Sequence, residues 1–520
     1  MDGRLIRGGI AAAGLSHRAT DLIRRRRPLP PSSPSSPEKQ TETEKRAQGS
    51  DAAVGKNAAY LVTGRTLVSI MGWAGTVVIA RVLSPTAWGE YSLIFSIMGA
   101  VGLMADLQLG RTVLRDLIDA GSRLPSVLGS FVTLRLVVGL ASYLVAVAVV
   151  VVIGYPPVVV EAMAVSATVL VVAAVGAALY IYLTSQMWMA AQAVSSVLGQ
   201  GAQLGLTLGL VAAGYRNLVV LVVPAVLFEI VALGWQLRVA RRHTPIRLAV
   251  DRSHWGTWLG ESGLLAVGVA LGSLYMRIDA ILLSKLGSLR AVGLYAVGNK
   301  FAYLAASVAS AVASTVLVVL TRSWPEDPAR FIDAFRRGLL LLLVMGVAMA
   351  VEFGALAAPI IRALYGPRFG VGSQAAIILV VAQLFTFFTG LCFVVLVAIR
   401  HNLPYLVAAV TGLVVNVALN IVLIPRWSYT GVAVATMLTE ALVLGVLVWA
   451  LARLVPLGAW LPWRFMARVS LAGGAMAAAA FLVRGHVPWA VDGAVAGVIY
   501  LAVIHLTSAV GPGGLRALLR

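Results

Sequence analysis

The chain has 520 residues, 60% of them hydrophobic and only 12% charged, with a mean hydropathy of +0.91. That leaves too little polar surface to enclose the apolar content in a water-soluble globule, so composition specifies an integral membrane protein. The formal net charge of +20, from 41 Lys+Arg against 21 Asp+Glu, raises nucleic acid as a partner, and the placement of those charges excludes it.

Residues 1–57 read as a disordered, basic cytoplasmic tail, with the run Arg24-Arg25-Arg26-Arg27 ahead of Pro28, Pro30 and Pro31. The run suits either anionic lipid headgroups or plain solvation. The apolar patch Gly9 to Leu15 is too short for a signal-peptide core. From there the chain is a succession of apolar runs near 58–80, 92–110, 129–153, 157–183, 188–213, 217–237, 257–284, 291–320, 338–361, 373–399, 404–424, 430–452, 466–483 and 488–510. Each approaches or exceeds the roughly 20 helical residues that cross a bilayer, so the expectation is an all-α polytopic membrane protein with about 14 transmembrane helices.

With the tail inside, the segments on its side of the membrane hold 29 Lys and Arg and the opposite segments hold eight. The positive-inside rule then puts both termini in the cytoplasm, in a multi-pass protein of the cell membrane. The same bias accounts for the excess positive charge. The single cysteine, Cys392, and six scattered histidines offer neither a disulfide nor a zinc-binding spacing, so no metal or other cofactor is expected.

Two short strings recur. Ala87-x-Gly89-x-Tyr91 returns as Ala291-x-Gly293-x-Tyr295, each between two apolar runs, and Leu227-x-Glu229-x-x-x-Leu233-Gly234 returns as Leu438-x-Glu440-x-x-x-Leu444-Gly445. The matching order makes spans 1–6 (58–237, an N-lobe) and spans 7–12 (257–453, a C-lobe) related halves, joined by a basic loop at 238–256. An even number of spans per half keeps orientation, so the lobes are parallel around a central cavity rather than inverted. Spans 13 and 14, in 454–520, fall outside the repeat.

Ionisable groups at membrane depth cost a few kcal/mol each and usually face a cavity or a partner. The candidates are Arg65 in span 1, Arg277 and Asp279 in span 7, Lys300 in span 8, and Glu229 and Glu440 at matching places in the two halves. Arg277 and Asp279 are two residues apart on a helix and point to different sides. Asp279 lies roughly 9 Å below the outer end of span 7 and Lys300 roughly 13 Å below that of span 8, so an Asp279–Lys300 contact is within reach, either structural or cavity-lining. Arg65 either snorkels to the headgroups or reaches the cavity. Glu229 and Glu440 are either proton-titrating groups or symmetric packing contacts. Asp106, Glu352 and Arg135 are weaker candidates near span ends or interfaces. Gly201-x-x-x-Gly205-x-x-x-Gly209 reads as a close-packing face, and Trp88, Trp427, Trp463 and Trp489 as interfacial anchors.

Four segments together resemble the polysaccharide or O-antigen flippases, relatives of the multidrug and toxic compound extrusion transporters and of lipid II flippases. They are Ala80-Arg81-Val82-Leu83-Ser84-Pro85 through Tyr91, Arg277-Ile278-Asp279 with Ala291 through Tyr295, Ile361 through Tyr365-Gly366-x-x-Phe369, and Asn416-Val417-x-Leu419-Asn420-x-x-Leu423-Ile424-Pro425 with Gly431-Val432-Ala433-x-Ala435-Thr436. The resemblance implies two six-helix lobes and alternating access that carries an isoprenoid-diphosphate-linked glycan between leaflets. Arg277, Lys300 and Arg65 would hold the anionic diphosphate. Asp279 would hold or modulate a cation, and Glu229 and Glu440 would respond to protons, with proton or sodium as coupling ion. Partners would be membrane lipids and glycan-assembly enzymes. A cation-coupled multidrug exporter shares the lobes but calls for a more acidic cavity. A glycan polymerase or glycosyltransferase calls for a sizeable extramembrane domain, and no loop here is long enough to form one, so the chain reads as a transporter and not an enzyme.

Overall fold

The computed structural model describes residues 63–455, 463–483 and 488–506, and within them every regular element is a helix. The basic tail expected at 1–57 lies outside the described residues. The helices are α1 (Thr63–Val82), α2 (Pro85–Asp106), α3 (Leu109–Asp119), α4 (Leu124–Val152), α5 (Pro157–Ser166), α6 (Thr168–Ser185), α7 (Met189–Ala212), α8 (Leu218–Leu221) and α9 (Val223–Arg241). There follow α10 (Arg252–Leu286), α11 (Leu289–Ser323), α12 (Pro328–Tyr365), α13 (Ser373–Ala398), α14 (Leu403–Leu454), α15 (Trp463–Val483) and α16 (Trp489–Leu506).

Among the described residues 12 helices are long and apolar enough to cross a membrane. One of them, the 52-residue α14, breaks at Ser428, whose φ of 51° and ψ of −131° are not helical, three residues after Pro425. At 1.5 Å per residue it is about 78 Å long, enough for two crossings of a core about 30 Å thick. The 35-residue α10, which carries Arg277, Asp279 and Lys285, completes fourteen segments.

Local chemistry sets the helix starts. Ser84 Oγ accepts from the Ala87 amide (3.2 Å) with Pro85 in the first turn, and Ser288 Oγ accepts from the Ala291 amide (3.1 Å). These caps extend α2 back to Pro85, earlier than the expected start at 92, so the repeated A-x-G-x-Y string forms the first turns of α2 and α11 instead of lying between spans. Asp251, outside the spans, caps α10 through Ser253 and His254, and the hydrogen bond from Ser253 is the main reason its carboxyl is held down to about 2. Between the second and third spans, α3 buries Leu109, Val113 and Leu117 on one face. It ties to α10 through Trp258 Nε1, which donates to Asp116 at 2.6 Å.

One core cluster runs across both halves, with Leu93 and Ile97 of α2 beside Leu283 of α10, Val292 of α11 and Ile424 of α14. The last two helices dock on α12: Tyr500 Oη donates to the Val344 carbonyl at 2.7 Å, and the Glu352 carboxyl lies against Gly493 of α16. The glycine stripe departs from expectation. Gly205 and Gly209 have no atom within reach of an added Cβ, and α7 instead packs closely at Gly199, against the Phe228 carbonyl.

Candidate functional site

The 204-residue offset between Ala87 and Ala291 organises the contact between the halves. At the arginine-poor ends of the helices, a Cβ on Gly89 would collide with the Leu289 carbonyl oxygen, and one on Gly293 would collide with that of Pro85. Leu289 is itself Pro85's counterpart at that offset, so the repeated strings are each other's binding surface. Two cations repeat the exchange. Arg81, at the end of α1, donates to the carbonyls of Ala363 and Leu364 at the C-terminus of α12. Its counterpart Lys285 donates to Ile153 O (2.9 Å) beyond the C-terminus of α4 and lies 4.0 Å from the centre of the Tyr155 ring. Each half thus places a cation on the negative helix end of the other.

Beneath this closure lies a cavity of about 410 Å³. Its walls obey the repeat: Gly72 and Met276, Thr76 and Ala280, Tyr91 and Tyr295, Ser92 and Ala296, Phe95 and Asn299, and Ser96 and Lys300 all line it in matched pairs, together with Gln200 and Gln203 of α7. The charges do not obey it. Arg277, Asp279 and Lys300 line the cavity, where the first half has Trp73, Gly75 and Ser96 at the corresponding offsets. Trp88 also lines the cavity and is only 1% exposed. It stacks on Tyr91 with ring centres 5.2 Å apart, so it is no interfacial anchor; Trp427, Trp463 and Trp489 are exposed.

Asp279 is the hub of the second half. Its carboxylate accepts from Asn420 Nδ2 (2.7 Å), Tyr295 Oη (3.0 Å) and Thr436 Oγ1 (3.2 Å). Asn420 Nδ2 also donates to Asn416 Oδ1 (3.0 Å). The expected Asp279–Lys300 contact is absent: among the described residues Asp279 makes no ion pair, because neutral donors from α11 and both parts of α14 surround it. Asn420 Oδ1 is buried without a partner. The motif residues Tyr295, Asn416, Asn420 and Thr436 carried no role in the sequence reading; the i, i+4 asparagines inside an apolar run were the available signal.

Arg277 and Lys300 therefore share one cavity with no carboxylate paired to either among the described residues. Arg277 Nη1 approaches the Phe95 carbonyl (3.4 Å), and its Nε has no partner. Arg65 is exposed and does not line the cavity; it precedes the lining residue Gly72 by two turns of α1 on the same face. Glu440 accepts from Tyr275 Oη at 2.9 Å, whereas Glu229 has no hydrogen-bond partner among the described residues, so the matched glutamates have unmatched surroundings. Arg135 is not a snorkelling end residue. It is 3% exposed and bonds Asp106 at 2.7 Å.

Helices long and apolar enough to cross a membrane, arranged as two related halves with a polar cavity between them, define a multi-pass membrane protein. The chain belongs to a family described as polysaccharide biosynthesis protein, whose model matches residues 78–373, more than half of it. No curated protein matches the sequence. Among solved structures, the chain is similar to a lipid II flippase MurJ in an inward closed conformation, with TM-score 0.68 and 14% identity over 88% of this chain and 99% of that one. It is also similar to an inward-facing multidrug resistance MATE family transporter of the MOP superfamily, with TM-score 0.59 and 15% identity over 74% and 94%. A third match is a MOP superfamily transporter from Pyrococcus furiosus, with TM-score 0.52 and 16% identity over 77% and 95%.

Proposed function

We propose that the protein carries an isoprenoid-diphosphate-linked glycan precursor across the cytoplasmic membrane by alternating access, with both termini in the cytoplasm. The observation that carries this reading is the pair Arg277 and Lys300, two cations on one cavity whose lining carboxylate, Asp279, is bonded to neutral donors and to neither of them. A diphosphate is the anion such a pair would hold, the guanidinium in a forked geometry and the ammonium as a point charge. Arg65, two turns nearer the arginine-rich end, would meet the head group as it enters. A cationic drug would meet repulsion here, which disfavours the multidrug exporter. The enzymes that assemble the glycan would supply the substrate, and the protein itself would make or break no covalent bond.

Asp279 is the candidate ion-coupling residue. Its carboxylate and the Thr436 hydroxyl, with the Asn416 amide oxygen bridged to them by the Asn420 amide, supply hard oxygen donors of the kind sodium takes. Glu440, and Glu229 in the first half, are the candidates for a proton-coupled alternative. The test is transport of the lipid-linked glycan in proteoliposomes with imposed sodium or proton gradients. Alanine at Arg277 and at Lys300 should each reduce transport by at least about tenfold, the loss of one charge-assisted contact. Unchanged transport in both variants would remove the diphosphate assignment.

A further inference from the structure

A second cavity, of about 470 Å³, lies inside the first half between α2, α4 and α6. Small residues make its walls: Gly102 and Ala105 of α2, Ala173 and Ala177 of α6. Arg277 lines this cavity as well as the central one, so a single side chain from the second half stands between the two spaces. It can do so because Gly99 has no side chain; a Cβ there would overlap the guanidinium. At the other end stands Arg135, nine-tenths buried, bonded to Asp106 and with its Nε unpartnered. A neighbouring pocket shares Asp106, Arg135 and Ala177 and continues to Arg111 towards the arginine-rich end.

An apolar groove with a shared guanidinium at its inner end fits one kind of molecule, an anionic head joined to a hydrocarbon chain. We propose that this groove seats the isoprene units nearest the diphosphate while the diphosphate itself rests on Arg277 and Lys300. The inference rests on the diphosphate-lipid reading above and adds where the chain goes. The first isoprene units run along the groove from Arg277, which packs on Gly99, towards the Asp106–Arg135 pair. The recognition is thereby divided: the second half supplies the charges and the first half supplies the apolar seat. Pockets of this size bury most of the surface of a small ligand, so the groove takes the start of a long prenyl tail and leaves the remainder to the lipid.

The test uses the purified full-length protein in lipid nanodiscs, with farnesyl diphosphate and inorganic pyrophosphate as probes. Wild-type protein is expected to bind farnesyl diphosphate roughly tenfold or more tightly than pyrophosphate, since burial of the chain adds to the charge contact. Ala173→Leu fills the groove and should remove most of that difference while leaving pyrophosphate affinity unchanged. Arg277→Ala should weaken both probes. Ala173→Cys gives a second readout that needs little repacking: farnesyl diphosphate, and not pyrophosphate, should slow maleimide labelling of that thiol, the native Cys392 being buried. If Ala173→Leu binds farnesyl diphosphate like wild type, or the Ala173→Cys thiol labels at the same rate with and without it, the chain lies elsewhere and the groove proposal falls while the diphosphate reading stands. If neither probe binds the wild-type protein, the diphosphate reading falls and the groove falls with it.

Discussion

The closed, arginine-poor end and the central cavity are built from the same repeat, yet only the first has kept its symmetry. At the closed end the closest contacts have images: Gly89 against Leu289 and Gly293 against Pro85, Arg81 on the end of α12 and Lys285 on the end of α4. Here each half is the partner of the other, so a change in one copy spoils a contact made by both. In the cavity the paired positions face open space, and there Ser96 corresponds to Lys300, Trp73 to Arg277 and Gly75 to Asp279. Symmetry survives in the backbone and helix-end contacts that close this end and is lost among the charged side chains of the cavity.

The comparison is broken most forcefully at Asp279. Replacing it with alanine leaves the buried Tyr295 hydroxyl without its acceptor, at about 1–3 kcal/mol, while Asn420 keeps Asn416 and Thr436 keeps the Val432 carbonyl, so the variant should lose a few degrees of melting temperature. Asp279→Asn keeps an acceptor oxygen and should cost visibly less. A stable Asp279→Ala protein would mean that the hub is not structural. Next in size is the glycine pair. Gly293→Ala and Gly89→Ala each press a methyl onto a backbone carbonyl that cannot rotate away, at about 1–3 kcal/mol. The two losses in thermal stability should be similar, and a silent member of the pair would contradict the two-fold contact.

Smaller again are the helix-end cations. Arg81 and Lys285 are exposed, so each should contribute no more than about 1 kcal/mol. Their effect belongs on the opening equilibrium: in a Val292→Cys background, whose thiol sits in the closed contact, Arg81→Ala and Lys285→Ala should each speed maleimide labelling, and the double variant more than either. No acceleration in the double variant would show that the cations do not hold this end closed.

Hydropathy made the membrane-long helices legible, because span length is set by the bilayer and needs no partner. The two parallel lobes were legible from the repeat. What the sequence hid depended on what the other half covers. Trp88 has the position of an interfacial anchor in its own segment, and only the helices of the second half turn it into a buried wall of the cavity. Arg277 and Lys300 were legible as costly charges, but the Asp279–Lys300 contact drawn from their nearness in sequence was displaced by Asn420 and Thr436, which lie 141 and 157 residues from Asp279. The stripe Gly201, Gly205 and Gly209 has the pattern of a packing face, yet two of its three members face open space.

Glu229 and Glu440 give the finest test of where the repeat stops. Their strings match, but Glu440 receives a hydrogen bond from Tyr275, and 204 residues earlier the chain has Met71, which has no hydroxyl to offer. The glutamate was duplicated and its donor was not. Glu440→Gln and Tyr275→Phe should therefore be coupled by about 1 kcal/mol in a double-mutant cycle read from thermal unfolding. Glu229→Gln with Met71→Leu should show no coupling. Equal coupling in the two halves would restore the symmetry that the hydrogen bonds deny. The expected inequality would leave Glu440, through its bond to α10, the better placed of the two to sense movement of the helix that carries Arg277 and Asp279.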